Sequence, residues 1–196
     1  MTNTQQTALD LLEDRPATQL SEEILKIHLF EYNSLKNEQT QRIGFRDNLL
    51  YAMLVAFGGA VGYVLSNDNN LNILLILPWL CFILGWTYVI NDEKISAIGR
   101  YLRLELSAKL SHLTHVPTET FFNWENAHRQ DRYRISRKIT QLIVDLLSFV
   151  GTGGLAIGMF MVKMSCEFPL WTQILIGIDG VLLLILAILI WRYADL

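Results

Sequence analysis

The chain has 196 residues, enough for one domain of ordinary size. Hydrophobic residues make up 52% and charged residues 18%, where soluble domains carry about a quarter charged. The net charge of −3 excludes the strongly basic balance of a nucleic-acid binder, and the charge deficit is gathered into four stretches nearly free of charge.

Met1–Leu20 lacks a basic start followed by an apolar run, so no cleavable signal peptide is expected. Residues 1–20 read as a polar tail, with Ala8–Leu12 as a short docking helix. Ser21 followed by Glu22 and Glu23 is a helix start, since acids suit the positive end of the helix dipole. No proline follows before Ser66, which predicts one long helix, with 21–48 leading into a first span at Leu49–Leu65. The second span is expected at Asn72–Ile90, kinked by Pro78. Its continuation carries Ile95, Ile98, Leu102, Leu106, Leu110 and Leu113 at helical spacing. Val116-Pro117-Thr118 breaks this helix, and a new one is expected from Thr118 through Trp124 into the third span, Ile139–Val162. The fourth runs from Phe168 to Trp191. Each is near the ~20 residues that cross a bilayer core as helix.

The fold class that follows is an all-α membrane protein, four transmembrane helices in two hairpins with long cytoplasmic helical extensions. The hairpins cover 49–90 and 139–191, closed by short turns at Ser66–Leu71 and Lys163–Glu167, and the charged region 91–138 joins them. Five of the sixteen Lys and Arg precede the first span, nine lie in the joining region, one lies in a turn and one in the tail 192–196. The positive-inside rule then puts both termini and the joining region in the cytoplasm. Cys81, inside a span, and Cys166, in a turn, are not expected to pair.

Asp179 is the most informative residue. A carboxylate at mid-span costs roughly 2.5–3.5 kcal/mol on insertion scales, so it should face protein or water. By depth it matches Gly151–Gly154, with Thr152 as a hydrogen-bond donor to it, and also Gly58-Gly59 and Trp79. It reads as a pore-lining or proton-carrying acid, or as one that fixes helix packing. Asp145 is roughly 9 Å away in depth, too far to pair, and near enough to the inner end for water to reach it. It reads as a helix-interface acid or the inner ring of an ion path. Gly58 and Gly62, like Gly154 and Gly158, are four apart and let backbones approach, within one protomer or between protomers. Glu38, Arg42 and Arg46 lie below the first span, and Asp92, Arg100 and Arg103 below the second. This polar cluster could form ion pairs across helices as a vestibule or sensing site, or simply meet lipid headgroups. Trp124-Glu125 with Arg129, Arg132, Arg134 and Arg137 is a further polar group of the same kind. His112 and His115 supply at most half a metal site, and no catalytic motif, cofactor or metal is indicated.

Leu84–Arg103, reading LGWTYVINDEKISAIGRYLR, together with Glu31-Tyr32 and Glu38-Gln39 to Arg46-Asp47, resembles a group of bacterial four-helix integral membrane proteins of unassigned function. More loosely, the hairpins with helical extensions are similar to SLATT-type effectors of bacterial conflict systems, which have one hairpin where two are expected here. The resemblance implies a membrane-perturbing or pore-forming module in the inner membrane. The expectation is therefore a non-enzymatic, homo-oligomeric, channel- or pore-like protein assembled or gated through its cytoplasmic helices. The alternative is a membrane scaffold recruiting a soluble protein partner.

Overall fold

The computed structural model describes residues 17–66, 71–123, 127, 132–164 and 169–194. The segment Ala8–Leu12, the inner residues of both short turns with Cys166, Trp124-Glu125 and Arg129 lie outside these. Every long element among the described residues is helical, and no strand occurs among them. Helix α1 spans Ala17–Ser66. A 3-10 turn at Leu71–Leu75 precedes α2, Leu77–Tyr101. A π-helical stretch, Leu102–Leu106, leads into α3, Ser107–Thr114. Helix α4, Arg134–Asp145, passes through a second π-helical stretch, Leu146–Gly151, into α5, Thr152–Met164. Helix α6 covers Leu170–Tyr193. Four helical segments are long and apolar enough to cross a membrane: Gln19–Ser66, Leu71–Thr114, Arg134–Met164 and Leu170–Tyr193.

Two sequence expectations are corrected. Pro78 does not kink a helix, because it is the second residue of α2, where its missing N–H would have had no intrahelical acceptor. The break is placed before it instead, where the 3-10 turn ends and the Leu80 N–H donates to the Ile76 carbonyl. No continuous helix runs from Thr118 into the third apolar stretch. Thr118–Thr120 is a single 3-10 turn, Phe121 is extended, Phe122 has φ 54°, and α4 starts only at Arg134.

The chain divides into two compact units, Met1–Glu38 with Ile98–Arg129 and Gln39–Ala97 with Gln130–Leu196. In the first, Leu102, Leu106 and Leu110 are buried at the i, i+4 spacing of one helix face, against Leu25, Tyr32, Leu35, Phe121 and Phe122. The left-handed Phe122 backbone brings its ring onto Tyr32, with centroids 4.7 Å apart and planes at 9°.

In the second unit two apolar clusters follow each other along the bundle. One holds Leu49, Met53, Cys81, Tyr88, Leu142, Phe149, Leu183, Leu186 and Ile190. The other holds Ala60, Val64, Leu74, Leu75, Leu77, Ala156 and Phe160, with Leu175 and Ile176 against it. The bundle is apolar outside as well. Val55, Leu65, Ile83, Leu155, Val162, Ile178, Leu184 and Ile188 are exposed, while Asn91, Asp145, Thr152, Thr172 and Asp179 are buried. This inverts the usual soluble pattern, in which charged groups stay at the surface.

Candidate functional site

Helix α6 sets the site by its periodicity. Its buried residues are Thr172, Asp179, Leu183, Leu186 and Ile190, so Thr172, Asp179 and Leu186 recur every seven residues on one stripe. That stripe carries Asp179 into the interior, where its relative exposure is 0%. Among the described residues neither carboxylate oxygen has a hydrogen-bond partner, and the hydroxyl of Thr172, 1% exposed, has none either. The indole N–H of Trp79 is the donor nearest in effect, short of hydrogen-bonding geometry. Buried polar groups are normally satisfied, so two orphaned side chains on one stripe call for water or a transferable ion.

The expected bond from Thr152 to Asp179 is not formed. The Thr152 hydroxyl donates to the Ser148 carbonyl at 2.6 Å and lies 3.6 Å from Cys81 Sγ. The register explains this. A Cβ on Gly153 would stand 2.6 Å from Leu183 Cδ2, so Leu183, one turn beyond Asp179, is the residue that faces the third helix at that level. Gly85 makes the matching close approach, where a Cβ would meet Leu186 at 2.8 Å and Phe149 at 3.3 Å.

Asp145 belongs to a second polar group at the other end of the same cluster. It ends α4, directly before the π-helical stretch, and is 8% exposed rather than freely reached by water. The Tyr88 hydroxyl donates to its Oδ1 at 2.7 Å, and Gln141 Nε2 donates to the same hydroxyl at 3.4 Å. The guanidinium of Arg46 lies 5.9 Å from the Tyr88 ring centroid and donates to Asp92 Oδ1 at 2.8 Å. Arg42 donates to Asn91 Oδ1 at 3.2 Å, and the Asn91 amide returns to the Thr87 carbonyl. Tyr88, Asp92, Lys138, Gln141, Asp145 and Tyr193 line a cleft of about 30 Å³, large enough for a water or two. Asp145 and Asp179 do not meet. Phe149 and Leu186, both fully buried, lie in the core between the Tyr88 and Cys81 levels.

The expected polar cluster is thus divided. Arg42, Arg46 and Asp92 come together in the second unit, while Glu38, Arg100 and Arg103 belong to the first. There, the Tyr101 hydroxyl donates to Glu31 Oε1 at 2.6 Å and accepts from Lys109 Nζ at 3.1 Å. His115 takes the left-handed conformation that ends α3, and no cluster of three or more metal-ligating side chains exists among the described residues. Gly58, Gly62, Gly154 and Gly158 are exposed, and an added Cβ at any of them meets nothing within 4 Å. Among the described residues the close helix approaches are made at Gly85 and Gly153 instead.

Sequence reasoning missed Thr172, Tyr88, Gln141 and the two packing glycines. Thr172 had a readable signal, since a polar residue seven before Asp179 in an apolar helix shares its face. Tyr88 had none, because nothing in the sequence pairs it with a residue 57 positions away. No protein-family model, curated protein or solved structure matches this chain. The site therefore stands on its geometry.

Proposed function

We propose that the chain is a non-enzymatic, channel-like integral membrane protein that conducts ions through the interior of its helix bundle. The observation that carries this reading is the Asp179 carboxylate, fully buried in the middle of the most apolar helix, where among the described residues neither oxygen is hydrogen-bonded and the Trp79 indole is the one donor acting on it. An acid kept only for packing would be expected to hold a hydrogen bond, because an orphaned polar group destabilises by about 1–3 kcal/mol. Because one chain alone encloses Asp179, the path assigned here runs within each protomer rather than along an axis shared between subunits. The apolar exterior supports insertion in a lipid bilayer, as two transmembrane hairpins with both termini and the charged helices in the cytoplasm of a bacterial cell. The outward glycines Gly58, Gly62, Gly154 and Gly158 offer close-approach faces to a neighbouring copy, which favours a homo-oligomer.

The test is ion flux in liposomes containing the purified chain. Asp179→Asn is expected to lower flux while the protein keeps its helicity and its elution volume. Unchanged flux would remove Asp179 from the path.

A second reading has its own support. Residues 17–38 and 98–122 form a compact unit with its own apolar core and aromatic stack, which suits a membrane-anchored scaffold. A stoichiometric soluble partner, with no conductance in the purified protein, would favour that role.

A further inference from the structure

Resting on the conduction reading, we infer that the species carried is the proton, relayed by the Asp179 carboxylate, and that Phe149, Leu183 and Leu186 shut the bundle to metal cations.

A hard cation stripped of water needs about six oxygen ligands. Asp179 offers two, and no hydroxyl, amide or carbonyl bonds to either. Among the described residues, the polar group acting on it from another helix is the Trp79 indole, an N–H donor with no oxygen to offer a coordination shell. Its neighbours on the stripe are apolar in one direction, Leu183 and Leu186. In the other direction Thr172 is seven residues off, about 10 Å along the axis, too far to complete the same coordination shell. A proton needs no shell, only an acceptor and a chain of hydrogen-bonding groups or waters.

The packing beyond Asp179 points the same way. At Gly153 the Leu183 methyls fill the space a Cβ would take, with Cys81 Sγ at 3.4 Å. At Gly85 Leu186 and the Phe149 ring do so. Phe149 and Leu186 are fully buried, so this level of the bundle has no room for a hydrated ion, and an apolar constriction of this kind gates by dewetting, passing water only when it opens. Past it come the Phe149–Tyr88 ring contact, 5.2 Å between centroids, and the Tyr88–Asp145 hydrogen bond. Among the described residues Tyr88, Gln141, Asp92, Arg46, Lys138 and Tyr193 are the polar and charged groups that act on Asp145 or share its cleft. The cleft supplies water on that side.

The step balances simply. A hydronium reaching Asp179 from the Thr172 side gives its proton to a carboxylate oxygen and leaves as water. The neutral acid then releases the proton to water admitted past Leu183, on the Cys81 and Thr152 side, and returns to carboxylate. The proton leaves through the Asp145 cleft. The π-helical stretch that carries Phe149 is the element able to open this level, since such stretches are irregular turns often found where a helix must adjust.

The experiment reconstitutes the full chain in liposomes with a pH-sensitive dye inside and a potassium diffusion potential held by valinomycin. Sodium uptake is followed in parallel by radiotracer. The expected result is proton flux without sodium uptake. Asp179→Asn should lower the proton flux by roughly a hundredfold, the lower end for losing a proton-transfer group, and Asp179→Glu should keep most of it. Leu186→Ala should raise proton flux and begin to admit sodium, which tests the constriction even if Asp179→Asn fails to assemble. Sodium uptake by the wild type that is lost in Asp179→Asn would overturn the proton assignment and leave the conduction reading intact. No flux of either ion in the wild type would remove both. Leu186→Ala with wild-type flux of both ions would remove the constriction.

Discussion

The Tyr88 hydroxyl donates a 2.7 Å hydrogen bond to Oδ1 of Asp145 across two helices that are 57 residues apart in sequence. It supplies a strong donor to a buried carboxylate, and its ring rests against Phe149. Tyr88→Phe keeps the ring contact and removes only the donor. It should destabilise the protein by about 1–3 kcal/mol, the range for a buried acceptor left unpaired. Denaturation in detergent followed by circular dichroism measures this. In the double variant with Asp145→Leu the effect of Tyr88→Phe should largely vanish, because the acceptor is gone. Equal losses in both backgrounds would show that the bond is not the cause.

Asp179→Leu completes the apolar stripe of α6. It removes a buried carboxylate that has no partner, so stability should rise by about 1–3 kcal/mol while flux disappears. A drop in the denaturation midpoint would mean that Asp179 holds a structural bond, for which the Trp79 indole is the nearest donor.

The glycines separate by environment. Gly85→Ala drives a methyl against Leu186 and Phe149, both enclosed, and should destabilise the fold by about 1–3 kcal/mol. Gly154→Ala and Gly158→Ala meet open space and should leave folding unchanged, or gain up to about 1 kcal/mol from better helix propensity. Gly158→Leu should alter the oligomer seen by crosslinking or native mass spectrometry. If it does not, that face is not an assembly surface.

Arg46 joins three contacts, the ion pairs with Asp92 and Asp47 and the face of Tyr88. Arg46→Lys keeps the charge but loses the planar fork, so it should not restore stability lost in Arg46→Gln. A lysine variant as stable as wild type would reduce the site to simple charge balance.

Glu31 lies well outside the proposed spans. The hydroxyl of Tyr101, helped by His28 and Lys109 and opposed by slight burial, holds its carboxyl below the usual glutamate range. A carboxyl with a depressed folded value stabilises at pH above its ordinary value of about 4.3 and loses that stabilisation as pH falls through the lower folded value. The stability gap between wild type and Glu31→Gln should therefore be present at neutral pH and close in acid. In a Tyr101→Phe background the gap should shrink. A gap unchanged by acid would assign the effect to packing.

Parts of the fold were readable for particular reasons. The apolar runs around Leu49–Leu65 and Phe168–Trp191 are long, carry no charge except Asp179 and each meet a turn at one end, so periodicity and length identify helices without any tertiary information. The Leu102–Leu106–Leu110 face followed from spacing and is buried as the spacing requires. Pro78 misled because proline carries two meanings, a kink inside a helix or a first-turn residue, and only the backbone before it distinguishes them. The helix expected from Thr118 into the third span is broken at Phe121 and Phe122, where the left-handed Phe122 stacks on Tyr32, a contact made across the sequence.

Asp179 shows the division most sharply. The sequence by itself determined that an acid sits midway along an apolar helix, because that follows from position alone, and it held an unread signal for Thr172, seven residues earlier on the same face at about 3.6 residues per turn. Depth counting also brought Thr152 and the glycines near its level. Only the tertiary structure decided the rotation and the one-turn offset between helices. That offset sets Leu183 against Gly153, gives the Thr152 hydroxyl to its own helix, turns Gly154 and Gly158 outward and leaves the carboxylate enclosed without a partner. Helix register is set by how side chains of different volumes interlock across an interface, and no residue carries that information alone.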